Sequence, residues 1–360
     1  MHFQKLQKSN LWRSGMMLAG MSLISALTVA AQGEQRPSIL VITSTNNASS
    51  NAAVVFSLNA GATPSLSLQQ TLPTGGQGGA GGTAGNLQFE KELGAVANFG
   101  SNTVSQLVRN GNSIRIGSTI HLSSECKQPD SLALTRNHLF VVGANCAEVH
   151  SWPEGYVDGP VVSLPDSTAK QIAVGETWAA VTLGSGSLLQ LPLNPNGSLS
   201  GASTDITLPS DADSVPLGAA FWGDILGFTP AHSVDSFAVV NNSGDVFPIA
   251  GPAPAFPSNA PCWVAKGPGN VWYTGNAPGD AVSEFFTDSQ GGVFYKSVPV
   301  PGSPTDLTVS PDQKWLAVIY TSGGEGYVAV FSIDRFGDLT LVTTSSSIGV
   351  PAFHGVAISE

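Results

Sequence analysis

The chain has 360 residues, 42% of them apolar and 11% charged, with 41 Gly and 24 Pro. That apolar content excludes a disordered chain, and the lack of a Gly triplet period excludes a collagen-like one. With 14 basic against 25 acidic residues the net charge is −11, which repels phosphate backbones and speaks against nucleic-acid partners.

The first 31 residues stand apart. Lys5, Lys8 and Arg13 form a basic leader, Met16 to Val29 is an apolar run, and Val29-Ala30-Ala31 closes it with small residues. The pattern reads as an export signal over 1–31, with a short leader at 32–37. An uncleaved anchor is the alternative, although the run is short for a span of ~20 residues. Removing 1–31 leaves 11 basic against 25 acidic residues, a net −14. No later stretch is apolar enough to span a bilayer, so the mature chain is expected in the periplasm or outside the cell.

After residue 31 no long 3.6-residue period appears, and the reading is all-β. Similar pieces recur at intervals of about 40 residues, which is the spacing of propeller blades. Ser38 to Thr74 holds Ile39–Ile42, Ala53–Leu58 and Leu66–Leu68. Gly85 to Ser123 holds Leu93–Asn98, Val104–Val108 and Ile114–Leu122, and Gln128 to Leu164 holds Leu132–Leu134, Leu139–Val142 and Glu148–Trp152. Thr168 to Leu208, Ser214 to Ile249 and Asn259 to Pro301 continue the series. Ser303 to Ser347 is its clearest member: four runs rich in β-branched and aromatic residues, separated by Ser310-Pro311-Asp312, by a Gly-rich loop at 322–326 and by Asp334–Asp338.

The first piece lacks an opening strand, and the chain ends on a spare one, Phe353 to Ile358. A ring closed by that C-terminal strand joining the N-terminal blade accounts for both, and removes the open edge. The expectation is a seven-bladed β-propeller over 38–360, with an open sandwich or two small barrels as alternatives.

Cys126 and Cys146 lie 20 residues apart on segments that would neighbour each other in one sheet. An exported chain permits a disulfide there, provided the two Cα atoms come within ~4.4–6.8 Å. Cys262 reads as a buried small hydrophobe.

Gly94-Ala95-Val96-Ala97-Asn98-Phe99-Gly100-Ser101-Asn102-Thr103-Val104 resembles a signature of the lactonase-type seven-bladed propellers. Asn276–Val282 looks like a second copy, and Ser310-Pro311-Asp312 with Trp315-Leu316 is similar to that family's turn. The Gly-rich loop at 75–82 resembles a connection between the first two blades of exported bacterial members. The resemblance implies the propeller fold and an activity like that of 6-phosphogluconolactonases or carboxymuconate cyclases. Such chemistry needs an acid or base and a group to stabilise developing charge. The muconate enzymes place His, Glu and Arg around the channel; the matching strands here carry no His-plus-Arg set, so no catalytic residue is transferred.

From the residues themselves, His354 is the acid/base candidate, as the one histidine on an inner strand, against a plain buried histidine. Asp306 and Asp130 each follow a Pro and are read as equivalent inner positions, able either to cap blades or to serve the channel. Gln128 and Asp130 are candidate channel ligands. Glu90-Lys91-Glu92 reads as a solvated hairpin tip, and the tryptophans at blade strands as packing. Asp211-Ala212-Asp213-Ser214 is too short for an EF-hand. No cofactor or metal motif is found. The chain is expected to be a monomer acting on a small-molecule lactone, or a non-catalytic propeller binding a small molecule, glycan or protein.

Overall fold

A computed structural model describes residues 38–208, 215–231, 238–241, 245, 261–288, 291–349 and 354–360. The expected export signal at 1–31 and leader at 32–37, and the expected Asp211–Ser214 loop, lie outside these residues.

Seven antiparallel sheets are present. Their innermost strands, in chain order, are Leu87–Glu90, Ser131–Leu134, Ala169–Val174, Val215–Trp222, Pro261–Lys266, Ser303–Val309 and His354–Ser359. Each lies against the next, and His354–Ser359 lies against Leu87–Glu90, so the inner strands form a closed ring. Blade 1 contains the closure: His354–Ser359 pairs antiparallel with Ile39–Ser44, which leads on to Ala52–Asn59 and Ser65–Pro73. Blades 2, 3, 4, 6 and 7 have four strands each, and blade 5 has three among the described residues.

The core is a set of layers between sheets. Val41, Phe56 and Ile358 of blade 1 meet Ile319 and Val330 of blade 7, and Ala95 and Val104 of blade 2 meet Leu132 and Val141 of blade 3. A strand buried on both faces has to be apolar throughout, which is why Trp315–Ser322 reads Trp-Leu-Ala-Val-Ile-Tyr before it turns polar.

The blades differ at the starts of their inner strands. Asp306 pairs with Ile319 after a register shift that skips Thr305, while Ser131 pairs with Val142 and Gln171 with Thr182. Asp306 is therefore equivalent to Ser131 and Gln171. Setting it beside Asp130 is one residue out: Asp130, just before Ser131, stands with Thr305 and Lys170, the residues that the register shifts of blades 7 and 4 skip.

Cys126 and Cys146 are joined as a disulfide with Cα atoms 5.3 Å apart, tying the approach to blade 3 to its third strand. Trp178 and Trp272 are buried in interblade layers, whereas Trp222 is 49% exposed.

Candidate functional site

One mouth of the channel, at the starts of the inner strands, is crossed by the Gly-rich connection between blades 1 and 2. Asn46 anchors that connection: its Oδ1 accepts the Gly79 and Ala80 N–H groups at 2.8 and 3.1 Å, and its Nδ2 donates to the Ala80 carbonyl at 2.6 Å. Gly78 passes so close that a Cβ there would lie 2.4 Å from the Asn46 carbonyl carbon. Residues 83–85 then reach four blades. The Thr83 carbonyl accepts from His354 of blade 1, and the Gly85 carbonyl accepts the Leu132 N–H of blade 3 at 3.0 Å. The Ala84 N–H donates to the Lys170 carbonyl of blade 4 at 3.4 Å, and the Gly85 N–H donates to Asp306 of blade 7 at 3.0 Å. Ala84 is fully buried in the layer containing Trp263 and Leu307. The connection is a plug.

Asp306 is the hub of this end. Its Oδ1 accepts its own neighbour's N–H, from Leu307, at 2.8 Å, its Oδ2 accepts from Gly85, and the Gly355 N–H also bonds the carboxylate. Three segments of the ring thus converge on one side chain. Burial pushes its carboxyl up to about 7, against the three N–H groups that favour the ionised form. Gly355 must be glycine here, with φ +80° and a Cβ position 2.4 Å from the Leu87 nitrogen.

His354 is buried, with Nδ1 3.0 Å from the Thr83 carbonyl. That acceptor places the proton on Nδ1, and burial lowers the pKa from its ordinary value by more than the Thr83 bond raises it, which favours the neutral ring. Asp130 is buried too; burial raises its carboxyl to about 7 while the Lys170 charge pulls it down. Gln128 is exposed in a left-handed conformation, φ 57°, with its backbone N–H donating to Asn102 Oδ1 at 2.8 Å.

Below the plug the channel encloses a cavity of about 240 Å³. Gly85 and Asp306 line its sealed end, Gln88 and Gln171 its wall, and Lys266 and Val309 the far end of the inner strands. His354, Asp130 and Gln128 are not among the lining residues, so of the residues singled out from sequence only Asp306 reaches this space. Gln171 Oε1 accepts the Ala219 N–H at 2.8 Å, which leaves the amide nitrogen as its donor. Sequence reasoning missed Gly85, Gln171 and Lys266. The density of glycines at 75–85 was the one signal that a connection here approaches other backbones closely. A blind, amide-walled space with one near-neutral carboxyl can hold a small polar molecule and move one proton.

No protein-family model and no curated protein sequence matches the chain. Solved structures do. A candidate 6-phosphogluconolactonase from Bacteroides fragilis is 13% identical with a TM-score of 0.65, over 91% of this chain and 99% of that one. The periplasmic gluconolactonase of Pseudomonas aeruginosa is 17% identical with a TM-score of 0.63, over 90% and 99%. A catalytically inactive virginiamycin B lyase from Staphylococcus aureus, bound to quinupristin, is 12% identical with a TM-score of 0.55, over 79% and 92%. At such identities the likeness is one of fold: the chain is a seven-bladed propeller of the architecture seen in lactonase-type proteins.

Proposed function

We propose that the chain is an exported lactone hydrolase that opens a small cyclic ester in the central channel, with Asp306 as its general base. The observation that carries this reading is a carboxyl with a pKa of about 7 lining a blind cavity of about 240 Å³. A base titrating near the working pH is suited to taking a proton from water as the water attacks the ester carbonyl. Gln171, held through its oxygen by Ala219, supplies an amide donor to the oxygen that gains charge. The cavity is below the ~300 Å³ at which drug-sized sites begin, which suits a ligand the size of a monosaccharide lactone. Neighbours named as lactonases, one of them periplasmic, support the same class and an exported location.

The test is base uptake in a pH-stat with δ-gluconolactone and the mature chain. Turnover that rises through pH 7 and falls about 10²-fold or more in Asp306→Asn, with unchanged circular dichroism, supports the reading. A wild-type chain without turnover, or a variant that keeps its rate, overturns it. The three backbone N–H groups on Asp306 favour a second reading, in which this carboxylate only holds the ring and the channel binds such a ligand without changing it.

A further inference from the structure

The turn at 135–137 joins the first two strands of blade 3 at the open end, and His138 begins the second of them. Here blades 3 and 4 part around a cleft of about 290 Å³ that shares no lining residue with the channel cavity. His138 is its anchor. The Nε2 atom lies 3.1 Å from Asp158 Oδ2 of the same blade, and the side chain is 10% exposed. A carboxylate only accepts, so Nε2 carries a proton. The ring is wedged in place: Phe140 meets it edge to face at 6.1 Å, and Gly197 of blade 4 passes so close that a Cβ there would lie 2.8 Å from Cε1. Gly197 also has φ +93°, which favours glycine. Nδ1 of this fixed, buried ring is left without a hydrogen-bond partner among the described residues.

Two donors share the cleft. Asn196 Oδ1 accepts the Ser198 N–H and hydroxyl at 3.2 and 2.9 Å, which leaves its Nδ2 to donate. Arg136 is exposed and makes neither an ion pair nor a hydrogen bond among the described residues. It also borders the next cleft, with Glu90 and Glu92, and pairs with neither. Glu176, the one carboxylate lining the cleft between blades 3 and 4, reaches toward blade 5, where its Oε1 lies 3.9 Å from the Cβ position of Gly223. The guanidinium and the amide are matched by a ligand carboxylate. The imidazole nitrogen is matched by a hydroxyl, which donates to the lone pair of a neutral ring or accepts from the N–H of a charged one.

We infer that the cleft between blades 3 and 4 is a second ligand site, taking a small hydroxycarboxylic acid. Its carboxylate lies on Arg136 and Asn196, and a hydroxyl meets His138 Nδ1. The net charge of −11 disfavours anions at long range, so a site for one has to rest on a local cation, and Arg136 supplies it unpaired. The inference goes beyond the hydrolase reading, because the cleft is separate from the channel and binding there requires no turnover. A ring-opened lactone is itself a hydroxy acid, so the ligand class is the one that lactone hydrolysis would release.

The experiment is calorimetric titration of the folded mature chain with sodium gluconate, with glucose, which lacks the carboxylate, and with sodium hexanoate, which lacks the hydroxyls. Gluconate should bind, and the other two should bind about 10-fold or more weakly. Arg136→Gln, a change at an exposed side chain, should weaken gluconate by about 10-fold or more. His138→Gln should do the same, with circular dichroism unchanged, and should remove the imidazole NMR resonance that gluconate shifts in the parent. If the buried His138 variant unfolds, Arg136→Gln decides. A chain that binds no gluconate overturns the site, and hexanoate bound as tightly as gluconate overturns the ligand class. Gluconate affinity unchanged in Arg136→Gln would place the ligand elsewhere, the channel included, and overturn the cleft. None of these outcomes depends on turnover, so they stand apart from the pH-stat result.

Discussion

The two mouths of the channel are formed by opposite ends of the same seven strands. At one, residues 83–85 bond to four blades, and Asp306, Asp130 and His354 are buried. At the other, Lys266 is half-buried and Trp222 beside it is half-exposed. The cause is connectivity. The open end is made of hairpin tips within a blade, such as Ser310–Lys314, whose polar groups satisfy one another: Ser310 Oγ donates to Asp312 at 2.7 Å, and the Gln313 N–H donates to the Ser310 carbonyl at 2.9 Å. The sealed end is where one blade hands over to the next, and the connection over 74–86 is long enough to cross it. Local turns leave a mouth open, while a long interblade connection can close one.

If Asp306 holds the sealed mouth together, Asp306→Ala is the variant with the largest effect. It strands the buried N–H groups of Gly85 and Gly355, each costing about 1–3 kcal/mol when unsatisfied, so urea unfolding should show a loss of roughly 2–6 kcal/mol. Asp306→Asn, which keeps one acceptor oxygen but turns an NH2 toward a backbone N–H, should lose less. The pH dependence has a definite sign. With a folded pKa of about 7 against an ordinary 3.8, the stability linked to Asp306 and Asp130 is fully present below about pH 4 and is lost as pH rises through 7. Glu148 in blade 3 runs the other way. Burial pushes it up, but hydrogen bonds from His150 and Ser123 outweigh burial and hold it below its ordinary value. Its share is present above about pH 4.5 and lost in stronger acid. Unfolding midpoints should therefore fall from pH 5 to pH 8 in the wild type and fall less in Asp306→Asn, where Asp130 alone still carries the dependence; midpoints that do not move would mean that the two folded carboxyls titrate in their ordinary range.

The disulfide on the sealed side comes next. Closing a loop of 20 residues constrains the unfolded chain, and Cys126→Ser with Cys146→Ser should cost about 3 kcal/mol in chemical unfolding. A double variant as stable as the parent would mean that blade 3 holds its entry segment without the link.

How much of this was legible beforehand follows the same division. The blades were readable because a strand packed on both faces must be apolar along its length, and Leu316 to Ile319 or Leu139 to Val142 show this without any partner in view. Ring closure was readable from a missing first strand and a spare last one. The plug was not, because its hold on the mouth comes from Asn46, Lys170 and Asp306, far away in the chain, and glycine-rich composition says only that backbones can approach. Asp306 was found as a residue but placed one position out, since matching it to Asp130 by their shared carboxyl overrode the spacing from Pro129 and Pro304, which sets it beside Ser131. Lys266 gave no signal: it is an ordinary polar residue at a strand end until the fold sets two indoles beside it.

At the open mouth the effects should be smaller. Lys266→Met removes two hydrogen bonds to a local turn and the contacts with Trp222 and Trp272, while its stem packing is kept. A loss of about 0.5–1 kcal/mol in urea unfolding is expected. A loss as large as that of Asp306→Ala would show that this rim, too, holds the ring closed.

The smallest effect should come from Lys314→Ala, at the Ser310–Lys314 tip of blade 7. Its ammonium is 2.6 Å from Asp312, the shortest ion pair among the described residues, yet the side chain is 70% exposed. Water and salt screen such a pair, and ordering a long side chain offsets what attraction remains. The tip does not depend on it, because Ser310 Oγ also accepts the Lys314 and Trp315 N–H groups at 3.2 and 3.0 Å, and both bonds survive the substitution. The unfolding midpoint should be unchanged, at low and at high salt alike. A salt-sensitive drop would mean that the open-mouth hairpins lean on their charges, and the contrast between the two mouths would then be one of degree.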